Sequence, residues 1–360
     1  MTSSVYVHIP FCLRKCYYCT FSSYPALELR EKYLEGLLAE IEGRYLGEKI
    51  KTLYIGGGTP SLIDFVQIGK IVSKFDFENN AEITIEANPE STSRDWLKGV
   101  FDVGVNRLSF GVQSFDDHLL KLIGRKHTVK QAFDAISMAR EVGFKNINID
   151  LIYGLPSQIM SDVSASVITA CEIGVEHISS YGLKIEEGSK FFAECPKTLP
   201  DEDMQADMYL KLCEITAKYG YKHYEISNFA KKGFESRHNL NYWNDENYYG
   251  FGCGSSGYEG STRYTHENTI EKYLDNPMNL TEREILTKDV MLEESIFLGF
   301  RKADGVNVSA INEKFGIDFE KKYSEVLKKY EKYFKKTENG YALTNEGFLL
   351  SNCILSDFAE

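Results

Sequence analysis

Residues 5–21 read VYVHIPFCLRKCYYCTF. The stretch begins as a short apolar run, Val5 to Ile9, and closes it with Pro10. It then sets three cysteines, Cys12, Cys16 and Cys19, in the order C-x3-C-x2-C. A β-rich run stopped by proline reads as a strand and its exit. Three thiols so close together are more than packing asks for. A closed tetrahedral zinc site takes four ligands, so zinc here needs His8 or another side chain as the fourth. A cubane iron–sulfur cluster held by three thiolates keeps one iron open to a small molecule instead. Both readings stand on the thiols alone, so the rest of the chain is searched for that molecule's pocket.

The chain has 360 residues, 43% of them hydrophobic, enough for one large domain and a smaller one. Its formal charge is −12, from 41 basic and 53 acidic residues, so bulk charge argues against nucleic acid or an anionic membrane as partner. The start, MTSSVYVHIP, lacks the basic and apolar regions of a secretory signal, and no apolar run approaches the ~20 residues of a membrane span. Eight cysteines are too sparse for a disulfide framework. The expected location is the reducing cytosol, where the protein would be cytoplasmic and its thiols free.

β-rich runs recur at Ser4–Pro10, Lys51–Gly58, Ala81–Asn88, Arg107–Ser114, Asn146–Gly154 and His177–Ile185. Helical stripes lie between them, such as Leu34, Leu37, Leu38 and Ile41, or Ala132, Ile136 and Ala139. Strand–helix alternation predicts parallel strands joined by crossovers. Six strands are fewer than the eight of a closed barrel, and the alternation alone also suits a doubly wound open sheet. The unusual residues decide between them. The cysteines follow the first strand, Gly56-Gly57-Gly58 ends the second, Glu86 lies late in the third, Gln113 in the fourth and Asp150 in the fifth. In β/α barrels the C-terminal strand ends carry the site, and five successive units each put a special residue on that rim. The fold class is α/β: a partial (β/α)6 TIM-like barrel with a smaller C-terminal helical, winged-helix-like domain.

Three regions are expected: 1–229 as the core, 230–280 as a Gly/Tyr-rich connecting segment, and 281–360 as the C-terminal helical domain. His223–Phe229 reads as one more strand. Residues 236–264 (SRHNLNYWNDENYYGFGCGSSGYEGSTRY) read as a long structured loop, and such loops are usually functional. Further on, Val326, Leu327, Tyr330 and Phe334 are expected to share a helix face, and Thr337–Leu343 a hairpin around Asn339-Gly340. The balance of this part is not basic enough for DNA binding to lead.

The ordered words YVHIPFCLRKCYYC, LYIGGGTPSLI, ITIEANPE, RLSFGVQSF, IGRKH and NIDLIYGLP resemble the radical S-adenosylmethionine (SAM) family. More narrowly, they resemble its branch of oxygen-independent coproporphyrinogen III oxidases and HemW heme chaperones. The likeness runs from about Val5 to Ile185 and again from Arg237 to Tyr258. It implies that Cys12, Cys16 and Cys19 hold a [4Fe-4S] cluster whose open iron chelates SAM. One electron into the sulfonium then releases a 5'-deoxyadenosyl radical. It further implies SAM contacts from Tyr6, Tyr18, Gly57, Gly58, Thr59, Glu86, Gln113, Arg125 and Asp150. Strand-end glycines suit that part because they let a ligand approach the backbone closely.

Within the branch, the oxidases extend the motif to C-x3-C-x2-C-x-C, whereas this chain has Phe21 at the last position, as HemW proteins do. The oxidases also carry a long arm before YVHIP, whereas only Met1 to Ser4 precede Val5 here. Both features are expected to count against porphyrinogen decarboxylation. His238-Asn239-Leu240-Asn241-Tyr242-Trp243 matches an HNxxYW motif that the resemblance ties to heme. His238 is then a candidate iron ligand, Asn239 a further heme-binding candidate, and Tyr242 and Trp243 candidate stacking surfaces. Cys253 is a candidate axial thiolate or a buried small residue. The resemblance therefore implies a heme-trafficking protein with a cluster, SAM and heme. Its partners would be a heme-accepting apoprotein and an electron donor, with a homodimer formed through the cluster also in view. A radical SAM enzyme acting on a porphyrin, such as coproporphyrinogen oxidase or a methyltransferase, is the alternative.

Overall fold

The computed structural model describes residues 3–359. Six strands run parallel in sequence order: β1 (Ser4–Ile9), β2 (Ile50–Gly57), β3 (Phe77–Ala87), β4 (Arg107–Gln113), β5 (Ile147–Tyr153) and β6 (His177–Gly182). Sequential order separates this sheet from a doubly wound one, whose order reverses at a switch point. The far edge turns back through β7 (Lys222–Glu225) and β8 (Asn228–Ala230), with β8 antiparallel to β6. The near edge gains β9 (Tyr249–Phe251), parallel to β1. The nine strands thus form an open, partial barrel in the order β7-β8-β6-β5-β4-β3-β2-β1-β9.

Side-chain alternation explains the curvature and the two layers. Val5, Val7, Leu53, Ile55, Leu108, Phe110 and Ile149 are fully buried and join a continuous apolar core with the helices, among them Leu37 and Ile41 of Arg30–Arg44 and Ile136 of Val129–Val142. The alternate residues Ser4, His8, Thr52, Thr84, Ser109 and Asn148 are also buried but polar, and line the concave face. Helix starts follow local chemistry: Thr128 caps Val129–Val142 in a reciprocal box with Gln131, and Ser93 accepts from Trp96 N–H. Among the described residues no helix is long and apolar enough to cross a membrane.

Three expectations change here. His223–Phe229 is two short antiparallel strands, because the chain reverses at Ile226-Ser227 to cover the edge of β6. Residues 236–264 are not a loop: they contain the helix Arg237–Trp243, β9 and a hairpin of β10 (Ser256–Glu259) and β11 (Thr262–His266), which β12 (Leu280–Ile285) extends. The helical stripe ending at Phe334 breaks, since the helix Ser324–Lys329 stops early and Phe334 opens a strand paired with Leu343. The C-terminal part carries β13 (Val306–Asn307), β14 (Phe334–Thr337) and β15 (Gly340–Leu343) as a small sheet among helices. β14 and β15 form the hairpin expected around Asn339-Gly340.

Phe251 of β9 is fully buried and packs 6.1 Å from the ring of Phe75. Phe251→Ala is expected to destabilise the whole barrel by about 3–5 kcal/mol. Urea unfolding followed by Trp96 fluorescence in the core should show a single, earlier transition. An unmoved midpoint would mean that β9 folds apart from the sheet.

Candidate functional site

The C-terminal ends of β1 to β6 open into a cavity of about 330 Å³, within the range of small-ligand pockets. Cys12, Cys16 and Cys19 line it from one side. Their loop is tied at several points. Cys12 N–H donates to Tyr24 O (3.0 Å), Tyr24 N–H to Pro10 O (2.7 Å), Tyr17 N–H to Ile123 O (3.0 Å) and Phe191 N–H to Tyr17 O (2.9 Å). The loop therefore leans on the segments after β4 and β6 as well as on its own strand. Burial pushes the Cys12 and Cys19 thiols up from their ordinary values.

Two side chains contact the thiols, and Glu86 lines another part of the cavity. Thr59 Oγ1 lies 3.3 Å from Cys12 Sγ and accepts from Asn88 Nδ2 at 3.2 Å. Arg125 Nη1 lies 3.6 Å from Cys16 Sγ, and Nη2 donates to Asn88 Oδ1 at 2.8 Å and to Gly111 O. Its Nε is buried and has no partner among the described residues. Glu86 Oε1 accepts from Tyr54 OH at 2.8 Å, and Oε2 accepts from Gly57 N–H at 3.0 Å. Burial, then the nearby Asp150, pushes the Glu86 carboxyl up to about 7. Asp150 is itself raised by burial, and accepts from Asn148 Nδ2 (2.7 Å) and Ser109 Oγ (3.2 Å).

The glycine turn is required by close packing against its own chain. Gly57 has φ +111°, and a Cβ there would sit 2.4 Å from the His8 ring; at Gly58 a Cβ would meet Phe11 O at 2.6 Å. Gln113 ends β4 at φ +68°, beside a register shift, an unusual backbone for a non-glycine residue. Both Gln113 and Tyr18 line the cavity. Tyr6 does not: its ring stacks on Tyr54 at 6.3 Å and its hydroxyl bonds His8 Nδ1 at 2.9 Å, so it stands behind the wall. His8 is no zinc ligand either, because its Nε2 is bonded to Ser22 O at 2.8 Å. Among the described residues no three His, Cys, Asp or Glu groups converge tightly enough for a single metal ion. Thiols on a cavity wall, glycines lining the same cavity and an unpartnered guanidinium nitrogen fit a cluster with a polar, charged ligand on it better than one zinc ion.

The heme candidates sit elsewhere. His238 and Tyr242 are one helical turn apart on the face of Arg237–Trp243 that looks into the barrel, and His238 is 1% exposed. His238 Nδ1 is 2.8 Å from Thr52 Oγ1, and Nε2 is 2.8 Å from Tyr242 OH. Trp243 instead lines a cleft with Gly299, Val306 and Ile311 of the C-terminal part, and half-buried Asn239 bonds through its N–H to Ser236 Oγ. Helical spacing divides these four candidates between faces, so His238 and Tyr242 do not share a pocket with Trp243. Cys253 is fully buried in the core, as a small packing residue would be.

Sequence reasoning missed Tyr54, Asn88 and Ser109, which line the cavity. Tyr54 precedes Gly56 by two, and two-residue periodicity within LYIGGG puts it on the ligand face. Tyr181 and Lys184, from the end of β6, belong to no motif.

The two outcomes at the cysteines separate cleanly in an experiment. Anaerobic reconstitution is expected to load iron and sulfide in equal amounts, and Cys12→Ser, Cys16→Ser or Cys19→Ser to abolish the loading. Zinc without sulfide in the purified protein would reverse the assignment.

Residues 6–167 match the Radical SAM superfamily and residues 286–350 match the HemN C-terminal domain. Heme chaperone HemW of Lactococcus lactis is 42% identical over 334 residues, spanning 90% of this chain and 88% of that protein. Heme chaperone HemW of Bacillus subtilis is 38% identical over 340 residues, 90% of each. Among solved structures, the coproporphyrinogen III oxidase HemN of Escherichia coli, described as a radical SAM enzyme, superposes with a TM-score of 0.87 at 25% identity. The match covers 99% of this chain and 90% of that one.

Proposed function

The chain belongs to the heme chaperone HemW family of the radical SAM superfamily, and on that premise we propose that it binds heme as cargo and passes it to a recipient apoprotein. The higher identity to the HemW relatives than to the oxidase carries this reading. Cys12, Cys16 and Cys19 hold a [4Fe-4S] cluster. Gly57, Gly58, Thr59 and Glu86 receive the methionyl end of SAM, and Tyr18, Gln113, Arg125 and Asp150 its remaining polar groups. When bound, cluster and SAM supply one-electron chemistry at the sulfonium, fed by a separate donor protein. The chain's own part is to hold the three half-buried thiols at one side of the cavity, to offer Glu86 as an acceptor, and to orient Arg125 toward the thiols. A reducing cytosol suits this chemistry.

The cavity mouth supports the cargo. Leu13 is 44% and Phe21 65% exposed, beside the exposed ammonium groups of Lys15, Lys126 and Lys184. Heme is a flat apolar disc with two carboxylates, and this rim offers both kinds of contact. The porphyrin-oxidising alternative draws on the fold shared with HemN, while Phe21 stands where a fourth cysteine would be.

Anaerobic protein with an intact cluster, titrated with heme, is expected to give a saturable absorbance change, and to form no decarboxylated product from coproporphyrinogen III. Absence of saturation would end the chaperone reading. Phe21→Asp is expected to weaken heme about 10- to 100-fold, the worth of burying one aromatic side chain.

A second expectation concerns pH. The Glu86 carboxyl is held up to about 7. Below that it is protonated and must donate; above it, it is an anion that accepts from the SAM amino group. SAM affinity should therefore rise as pH passes upward through about 7. Glu86→Gln should weaken SAM about 10- to 100-fold and reduce the slope, as loss of a charge-assisted hydrogen bond does. A slope unchanged in that variant would remove Glu86 from the site.

A further inference from the structure

His238 and Tyr242 do not face solvent, and their bonds can be followed inward. Thr52 Oγ1 donates its proton to Ser4 Oγ (2.9 Å), and Ser4 Oγ donates to Asn241 Oδ1 (2.8 Å). With its proton so used, Thr52 accepts from His238 Nδ1–H, and His238 Nε2 is left to accept from Tyr242 OH. Both ring nitrogens are spent, and the lone pair that would meet iron is covered by the tyrosine. Burial also holds the imidazole neutral. Glu82 fixes the helix from below, accepting from the backbone N–H groups of Arg237 and His238, each at 3.1 Å.

The His238 ring stacks on Tyr54, centroids 5.2 Å apart at 27°. Tyr54 is the residue whose hydroxyl holds Glu86. Its other neighbour is the Tyr6 ring, 6.3 Å away at 28°. Tyr6 OH bonds His8 Nδ1, and His8 donates from Nε2 to Ser22 O, three residues past the last clustered cysteine. One column of rings therefore runs from the HNxxYW helix, through the barrel interior, to Glu86 on one branch and to the cysteine loop on the other.

We propose that His238 is a positioning residue for the SAM pocket, acting through the Tyr54 ring on Glu86 and the cysteine loop, and is not a ligand to heme iron. The HNxxYW segment closes the floor of the barrel. Asn241, in an unspecified place of that motif, completes the bonded ring of Asn241, Ser4, Thr52 and His238. The inference rests on the SAM pocket proposed above, and its test keeps the two apart.

The test uses the reconstituted, reduced holoprotein and reads SAM affinity by equilibrium dialysis, the change SAM makes in the cluster's EPR spectrum, and heme affinity by titration. His238→Gln removes the stacked ring. Tyr54→Phe keeps the stack and breaks only the bond to Glu86, so it reports even where the buried histidine variant folds poorly. Each is expected to weaken SAM at least about tenfold and to alter the SAM-dependent EPR change, with cluster content intact and heme affinity within about twofold of wild type. The double variant should be little weaker than either single one, because both act along one line. A wild-type SAM response in the two single variants overturns the inference. So does loss of heme binding in His238→Gln with the SAM response intact. A wild-type protein with no SAM response would instead bring down the pocket assignment itself, and this inference with it.

Discussion

A buried polar side chain must find a partner or cost several kcal/mol, and the concave face of this sheet is polar along much of its length. Ser4, Thr52, Glu82, Ser109, Asn148 and His177 are all buried there. Toward the N-terminal strand ends they bond one another and the Arg237–Trp243 helix. Asn148, for example, is bonded by Ser109 Oγ at 2.7 Å and His177 at 2.6 Å. Pairing is not complete: Thr84 Oγ1 and Arg107 Nε within the sheet, and Arg125 Nε at its C-terminal rim, are left without a partner among the described residues. The same pattern that stabilises the floor thus leaves a polar, ligand-ready rim. An apolar interior would have packed shut.

This constraint explains what could be read from the sequence. The fold was legible because outward-facing residues such as Val5, Val7, Leu53 and Ile55 announce each strand, and because strand order in a barrel follows chain order. The rim was legible because glycines and cysteines mark backbone and thiol chemistry locally. The HNxxYW segment was not, since its meaning depends on what lies one helical turn away and across the barrel. Asn239 and Trp243 share one face and His238 and Tyr242 the other, and only docking against Thr52 and Tyr54 decides which faces inward. β9 escaped for a related reason: three residues among glycines carry no periodicity, and their strand character comes from β1, which templates them.

The polar column also links elements far apart in the chain. Residue 238 reaches residue 22 through four aromatic rings and a few hydrogen bonds, none of which needs a charge. Neutral bonds in a dry interior hold geometry without the desolvation penalty of buried ions. A shift of the floor helix would be felt at the cysteine loop, where small displacements matter to any ligand on the cluster.

The likeness to the oxidase then takes on a particular meaning. With 99% of the chain superposing on HemN, neither the barrel nor the C-terminal part distinguishes an oxidase from a chaperone. The distinction must lie where the two surfaces differ, and the rim is where this chain spends an apolar side chain conspicuously. Phe21 is 65% exposed directly beside the cysteine loop. A lone exposed aromatic is ordinary, but this one stands with Leu13 at the mouth of a charged cavity, ringed by lysines. On the proposed reading, an aromatic at this rim would pack against a heme disc and hold it at the mouth. Holding at the mouth suits a protein that must later let its cargo go.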